Sequence, residues 1–150
     1  MLDNIQEDNF FGERMKILTI DDDPAMTDLL KLVLIPMKAT VISANSGDEG
    51  LRLLREKNPD IVILDLMMPE MDGWQITAEI RRSSSVPILI LSVIDNPAMV
   101  ARALDSGADD YLIKPAPGGV LIAHINNLTR RRVKIIQECS KLQVNLPSAI

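Results

Sequence analysis

Four short apolar runs in this 150-residue chain each end in a polar side chain able to do chemistry. Ile61-Val62-Ile63-Leu64 ends in Asp65, and Ile17-Leu18-Thr19-Ile20 ends in Asp21-Asp22-Asp23. Ile88-Leu89-Ile90-Leu91 ends in Ser92, and Tyr111-Leu112-Ile113 ends in Lys114-Pro115. If these runs are parallel strands, their carboxyl ends share one edge, the place where open α/β sheets bind ligands. Aspartates have an ordinary pKa of about 3.9, so acids gathered at that edge are ionised and need a compensating charge. A divalent cation meets the need. An all-oxygen site suits Mg²⁺, which keeps several waters and takes few protein ligands. Asp21, Asp22 and Asp65 are the candidate ligands, with a backbone carbonyl just after Asp65 as a fourth. Lys114 can pair with Asp65 or with an incoming anion, and Ser92 can donate a hydrogen bond to that anion. A nucleophilic carboxylate beside a cation, a lysine and a hydroxyl is an arrangement for phosphoryl transfer through an aspartyl phosphate.

The elements that must position these groups alternate along the chain. Strands are predicted near 16–20, 40–44, 60–65, 86–92 and 110–114. Helices are predicted near 24–36, 46–57, 73–83, 96–106 and from about 119. That alternation is the pattern of a parallel α/β sheet. Pro24 suits a first helical turn, and Leu29, Leu30, Val33 and Leu34 follow at core-facing spacing. Ser46 can cap the second helix with Glu49 as its reciprocal partner. Asn58-Pro59 and Gly107 are stop signals, and Asn96-Pro97 is a start. The last helix carries Leu121, Ile125, Leu128, Arg132, Ile135, Cys139 and Leu142 in steps of four and three, a heptad-like stripe broken at Arg132. Its first three residues should face the sheet. Beyond Arg132 it should overrun a five-stranded core and stop at Asn145-Leu146-Pro147. The chain accordingly divides into an extension over 1–14, in which Phe10-Phe11 can dock locally, a compact unit over 15–131, and a helical extension or linker over 132–150.

Composition narrows the function classes. The chain is 47% hydrophobic and 25% charged, ordinary for a globular domain. No apolar run approaches the roughly 20 residues of a membrane span, and the acidic start does not resemble a secretory signal. A single cysteine, Cys139, excludes an internal disulfide and fits the reducing cytoplasm. A net charge of −5 argues against direct nucleic-acid binding by this chain.

The ordered set resembles the response-regulator receiver domains of bacterial two-component signalling. The matching stretches are Ile17 to Pro24, Asp65-Leu66-Met67-Met68-Pro69-Glu70-Met71-Asp72-Gly73, Ser92, and Gly107 to Pro115, within residues 15–131. The resemblance implies a flavodoxin-like doubly wound fold, a five-stranded parallel sheet of order 2-1-3-4-5 with helices on both faces. It implies Asp65 as phosphoacceptor and a Mg²⁺ site of Asp21, Asp22, Asp65 and the Met67 carbonyl, with Asp22 direct and Asp21 partly through water. Ser92 and Lys114 become catalytic and switch residues, the lysine preceding a proline usually joined in cis. Tyr111 becomes an aromatic switch that turns inward as Ser92 moves toward the phosphoryl group. The implied partners are a sensor histidine kinase or phosphotransfer protein, with a possible output domain or homodimer and no membrane.

Several residues depart from the family pattern. Ala116 stands where phenylalanine often follows Lys-Pro, and Gly118-Gly119 weakens the start of the last helix. Val120 and His124 replace a glutamate and an arginine that mark one DNA-binding branch, although Asp110 and Arg131 can keep one of its pairs. Apolar Met67 and Ile94 occupy positions that influence water access to the acyl phosphate, which implies a long-lived phosphorylated form. Plainer readings stand beside these: an acidic turn capping the next helix, Trp74 as packing, His124 as a helix-surface or interface residue, and Arg130-Arg131-Arg132 as a solvated face. The tail stripe reads either as a dimer or output contact or as a frayed helix. Two alternatives to the switch are a phosphorylation-independent interaction module and a haloacid-dehalogenase-like phosphatase. The latter is suggested by the acid-x-acid pair Asp21–Asp23, but that family puts its nucleophile on the first strand.

Overall fold

A computed structural model of the protein describes residues 13–144. The five strands are β1 (Lys16–Ile20), β2 (Thr40–Ala44), β3 (Ile61–Leu64), β4 (Ile88–Ser92) and β5 (Asp110–Ile113). The helices are α1 (Pro24–Val33), α2 (Gly47–Lys57), α3 (Gly73–Arg81), α4 (Pro97–Asp105) and α5 (Gly118–Val144). Every strand pair is parallel and the order is β2-β1-β3-β4-β5.

Side chains alternate across a strand, and the alternation divides the core in two. Leu18, Ile20, Val62, Leu64, Ile88 and Ile90 face one way and pack with Leu51 of α2, Ile76 and Ile80 of α3 and Ala103 of α4. Ile17, Ile61, Ile63, Leu89 and Leu91 face the other way, against Leu30 of α1 and Leu121, Ile125 and Leu128 of α5. Central β3 and β4 are buried throughout, whereas the edge strands β2 and β5 are only partly covered. That difference explains why β3 and β4 read as unbroken apolar runs.

The ends of the elements follow local chemistry. Asp23 caps α1 by accepting from the Ala25 N–H, with Pro24 in the first turn. The helix stops at Val33 instead of 36, because Pro36 has no N–H and restricts the residue before it. A single 3₁₀ turn, Ile35–Met37, then leads to Lys38 in the left-handed region. Ser46 caps α2 through the Glu49 N–H at 3.1 Å, but Glu49 does not return the bond to Ser46. It accepts from Asn45 N–H instead, one residue earlier. Asn58 ends α2 with φ 47°, and Asn96 caps α4 through Ala98 and Met99. A reciprocal capping box between Asp72 and Gln75 opens α3. The expected helix stop at Asn145-Leu146-Pro147 and the docking of Phe10-Phe11 lie outside the described residues. Among the described residues, no helix is long and apolar enough to cross a membrane.

Candidate functional site

The strand registers bring the chemistry together. Ile20 lies beside Leu64 and Ala44, so the next residues, Asp21, Asp65 and Asn45, are neighbours at one edge. The ladder continues one step past the strand ends: Asp21 N–H bonds to the Ala44 carbonyl at 3.1 Å, and Asp65 N–H bonds to the Ile20 carbonyl at 3.0 Å. On the far side, Lys114 N–H bonds to the Ser92 carbonyl at 2.8 Å. The backbone at each functional residue is therefore fixed by the sheet before its side chain makes any contact.

Carboxylate oxygens of Asp21, Asp22 and Asp65 all lie within 4.8 Å of one another. Asp21 and Asp65 are buried, and Asp22 is exposed. Lys114 Nζ sits 2.8 Å from Asp21 Oδ2 and 3.8 Å from Asp65 Oδ2. The lysine thus pairs primarily with Asp21, not with Asp65 as the bare sequence suggested, and it reaches both from one position. Its peptide bond to Pro115 is cis. Ser92 is fully buried and its Oγ accepts from Ile94 N–H at 3.3 Å. Burial lifts the Asp65 carboxyl above the ordinary aspartate value; Lys114 opposes the rise, Asp21 adds to it, and the Met67 N–H and Ser92 hydroxyl oppose it.

Three carboxylates against one ammonium leave two negative charges in a half-buried cluster. Asp21 spends one oxygen on Asp23 N–H and the other on Lys114. Among the described residues, Asp22 spends neither, and the Met67 carbonyl accepts no hydrogen bond. An all-oxygen donor set with surplus negative charge and uncommitted oxygens fits a hard divalent cation such as Mg²⁺. The capping reading of the acidic turn holds for Asp23 alone.

Tyr111 is half-buried against the core on the α2–α3–α4 side, and its hydroxyl donates to the Ile94 carbonyl at 2.6 Å. Burial pushes its phenol up, a hydrogen bond with Ser92 opposes that, and Asp65 and Asp95 add to it. Trp74 packs against the same core, and the Arg102 guanidinium lies 4.8 Å over its ring. His124 is half-buried and contacts the carboxylate of Asp110 through Nδ1. Asp110 therefore pairs across to α5 through His124 instead of Arg131.

Two groups escaped sequence reasoning. Asn45 Nδ2 donates to the Asp21 carbonyl at 2.9 Å and to Thr27 Oγ1 at 3.1 Å, tying the acidic turn to the end of β2 and to α1. Only the β1–β2 register could have found it. Gly73 is the second: a Cβ there would lie 2.6 Å from the Asp65 carbonyl oxygen and 2.6 Å from Leu66 Cα. The start of α3 thus presses directly on the backbone that carries Asp65.

The response regulator receiver domain family matches residues 17–126. The transcriptional regulatory protein AfsQ1 of Streptomyces coelicolor is 43% identical over 115 residues, covering 77% of this chain and 51% of that protein. The DNA-binding response regulator MtrA of Mycolicibacterium smegmatis is 37% identical, covering 79% of this chain and 52% of its own. The chain spans about half the length of the curated relatives it matches. A two-component response regulator from Clostridium difficile superposes with a TM-score of 0.76 at 30% identity, covering 79% of this chain and 98% of its own. The BeF₃-activated N-terminal receiver domain of Klebsiella pneumoniae RstA gives 0.74 at 30% identity, covering 77% and 98%. The candidate nucleophile, Asp65, follows the third strand and not the first. The chain belongs to the response regulator receiver domain family, the signalling switches of two-component systems.

Proposed function

We propose that Asp65 accepts a phosphoryl group from the phosphohistidine of a sensor histidine kinase or phosphotransfer protein. One observation carries this: Asp21, Asp22 and Asp65 converge within 4.8 Å while Lys114 Nζ reaches both Asp21 and Asp65. An Asp65 carboxylate oxygen attacks phosphorus, the P–N bond to the donor imidazole breaks, and the leaving ring nitrogen retains the electron pair and takes up a proton. Lys114, already at the rim, neutralises the transferred oxygens. Ser92 turns its hydroxyl from Ile94 toward them. Asp21, Asp22, Asp65 and the Met67 carbonyl hold Mg²⁺, which supplies charge neutralisation at the transferring group. The chain turns over no separate substrate; it catalyses its own phosphorylation and dephosphorylation.

The new group adds about −1.5 to −2 charges, by analogy with other phosphoryl groups. Lys114 and Ser92 respond to it, and Tyr111, hydrogen-bonded to Ile94 two residues beyond Ser92, couples that response to β5 and α4. Residues 15–131 form the receiver unit, and the helix beyond 132 leads to an output domain or partner, the whole acting in the cytoplasm. Intact-mass analysis after acetyl phosphate and Mg²⁺ tests the reading. One phosphoryl increment should appear on the parent and none on Asp65→Asn. A parent that takes up no phosphoryl group would favour a phosphorylation-independent interaction module.

A further inference from the structure

His124 is the one histidine of the chain, and a string of contacts runs from it to Ser92. From α5 its Nδ1 meets Asp110 Oδ2 on β5. The other oxygen, Asp110 Oδ1, accepts from the Tyr111 N–H at 2.8 Å. β5 is an edge strand, paired on one side only, and Asp110 gives the Tyr111 N–H an acceptor of its own. The Tyr111 hydroxyl donates to the Ile94 carbonyl at 2.6 Å, and the Ile94 N–H donates to Ser92 Oγ at 3.3 Å. His124, Asp110, Tyr111 and Ile94 are half-buried, and Ser92 is fully buried.

An imidazole is the side chain whose charge ordinarily changes between about pH 5 and 8. Protonated, it donates its Nδ1–H to the carboxylate in a charge-assisted hydrogen bond, roughly twice as strong as a neutral one. Neutral, it either keeps that hydrogen and loses the charge, or sets a bare acceptor nitrogen against an acceptor oxygen. Both neutral forms slacken the hold on Asp110. Among the described residues, Asp110 is the only charged group in ion-pair contact with His124. Its neighbour Asp109 is held by Arg81. On α4, beside β5, Arg102 lies over Trp74, and Asp105 makes no ion pair among the described residues. One turn away on α5, Val120, Leu121, Asn127 and Leu128 are uncharged, and Arg131, two turns on, has no ion pair among the described residues either. α1 packs with α5 through Leu30, and its charged Asp28 and Lys31 are exposed.

We propose that His124 and Asp110 are positioning residues of the switch: their pair holds the Tyr111 backbone and, through the Tyr111 hydroxyl, the Ile94–Ser92 turn in the resting arrangement. This rests on the function proposed for Ser92, whose hydroxyl meets the transferred phosphoryl group. Ser92 has to leave the Ile94 N–H to do so, and that turn yields less readily while Tyr111 is held. Phosphoryl uptake is therefore sensitive to a proton on His124, a residue that forms no ion pair with Asp21, Asp22 or Asp65. Two discrete charge states of one ring bias the whole string of contacts, which gives the coupling a physical carrier.

NMR amide spectra of the full chain, recorded in chelator between about pH 5 and 8, test the links one by one, with the amides of β1 and β3 as a folding control. The amides of Tyr111 and Ile94 should move with the same midpoint as the His124 ring. In His124→Gln neither should move in that window, and His124→Arg, a permanent cation, should hold both near their acid positions. Tyr111→Phe cuts the hydroxyl link, so the amide at position 111 should still follow His124 while that of Ile94 does not. Phosphoryl uptake from acetyl phosphate with Mg²⁺ is the second readout. Relative to His124→Gln, the parent should slow by about two- to threefold from the alkaline to the acid end, the scale of a partly exposed ion pair. An Ile94 amide that ignores the His124 midpoint, or follows it undiminished in Tyr111→Phe, overturns the proposal, as does a flat or inverted rate ratio. A parent that takes up no phosphoryl group fails the Asp65 reading instead, and the amides then decide the positioning pair on their own.

Discussion

Asp22→Asn should make the metal-free protein more stable and its response to Mg²⁺ weaker. Asp22 contributes no cap, because Asp23 performs that task, and its carboxylate makes no hydrogen bond among the described residues. It stands within 4.8 Å of two other carboxylates. At that separation a like-charge pair costs about 0.9 kcal/mol in a fully aqueous dielectric and about four times that at an effective dielectric of 20. Asp22 is exposed, so the aqueous end applies, and losing two such pairs should stabilise the metal-free chain by about 1–2 kcal/mol. That is several degrees in Tm for a domain of this size. Mg²⁺ reverses the order. A ligand at a hundredfold its Kd adds about 2.7 kcal/mol to the parent, and each tenfold of affinity lost in the variant removes about 1.4 kcal/mol of that gain. Urea unfolding followed by Trp74 fluorescence, in chelator and then in Mg²⁺ at low ionic strength, measures both halves. The reasoning is refuted if the variant is less stable than the parent in chelator, or if its gain from Mg²⁺ equals the parent's.

Lys114→Met should cost about 3–5 kcal/mol in chelator, since it leaves buried Asp21 and Asp65 without their cation; Mg²⁺ should restore part of the loss, and an unchanged urea midpoint would contradict the pairing. Asp65 has its native pKa held above 3.8 chiefly by burial. Between 3.8 and that higher value the folded chain keeps a proton the unfolded chain has released, so metal-free stability should fall as pH rises through the window and level off above it. The advantage of Asp65→Asn over the parent should grow across the same window, and a pH-independent difference would show that Asp65 is not the group responsible. Gly73→Ala should lose about 1–3 kcal/mol from overpacking against backbone, and should slow phosphoryl uptake from acetyl phosphate more than Gly119→Ala, whose added Cβ meets nothing within 4 Å. With apolar Met67 and Ile94 flanking the site, the phosphorylated form should persist well beyond seconds by time-resolved intact mass; decay within seconds would remove these side chains as barriers to water.

What the sequence made legible was whatever depends on one segment at a time. β3 and β4 showed as apolar runs because both faces of each are buried, and the reactive side chains stood out because each interrupts such a run at its end. Caps at Asp23, Ser46 and Asn96 are contacts within three residues, so they too were visible. Contacts made across the sheet were not. Asn45 reads as a turn residue until the β1–β2 register sets it beside Asp21, and His124 reads as surface until α5 folds back over Asp110. Lys114 was assigned to the right edge, but its choice of Asp21 over Asp65 as first partner rests on a difference of about an ångström between two side chains. The overestimate of α1 has a different origin: the apolar period runs on through Leu34, and Pro36 ends the helix earlier than the period does.

The same edge explains why binding and folding pull against each other here. Asp21, Asp65 and Lys114 each owe their backbone position to one hydrogen bond that extends the ladder beyond the last strand residue. A sheet held by the apolar packing of its two faces can carry unfavourable charge at its rim without losing register, because no core side chain depends on those acids. A site built on a mobile loop would relieve the repulsion by moving apart. Here Asn45 and Gly73 close two routes of escape, the first by tying down the acidic turn and the second by letting α3 abut the Asp65 backbone. Asn45→Ala should therefore relax the site where Asp22→Asn only discharges it. Both should weaken Mg²⁺ binding, but Asn45→Ala should lower metal-free stability, by about 1 kcal/mol for the lost hydrogen bonds, where Asp22→Asn raises it. Should the two variants shift metal-free stability in the same direction, restraint and repulsion would not be separate properties of this edge.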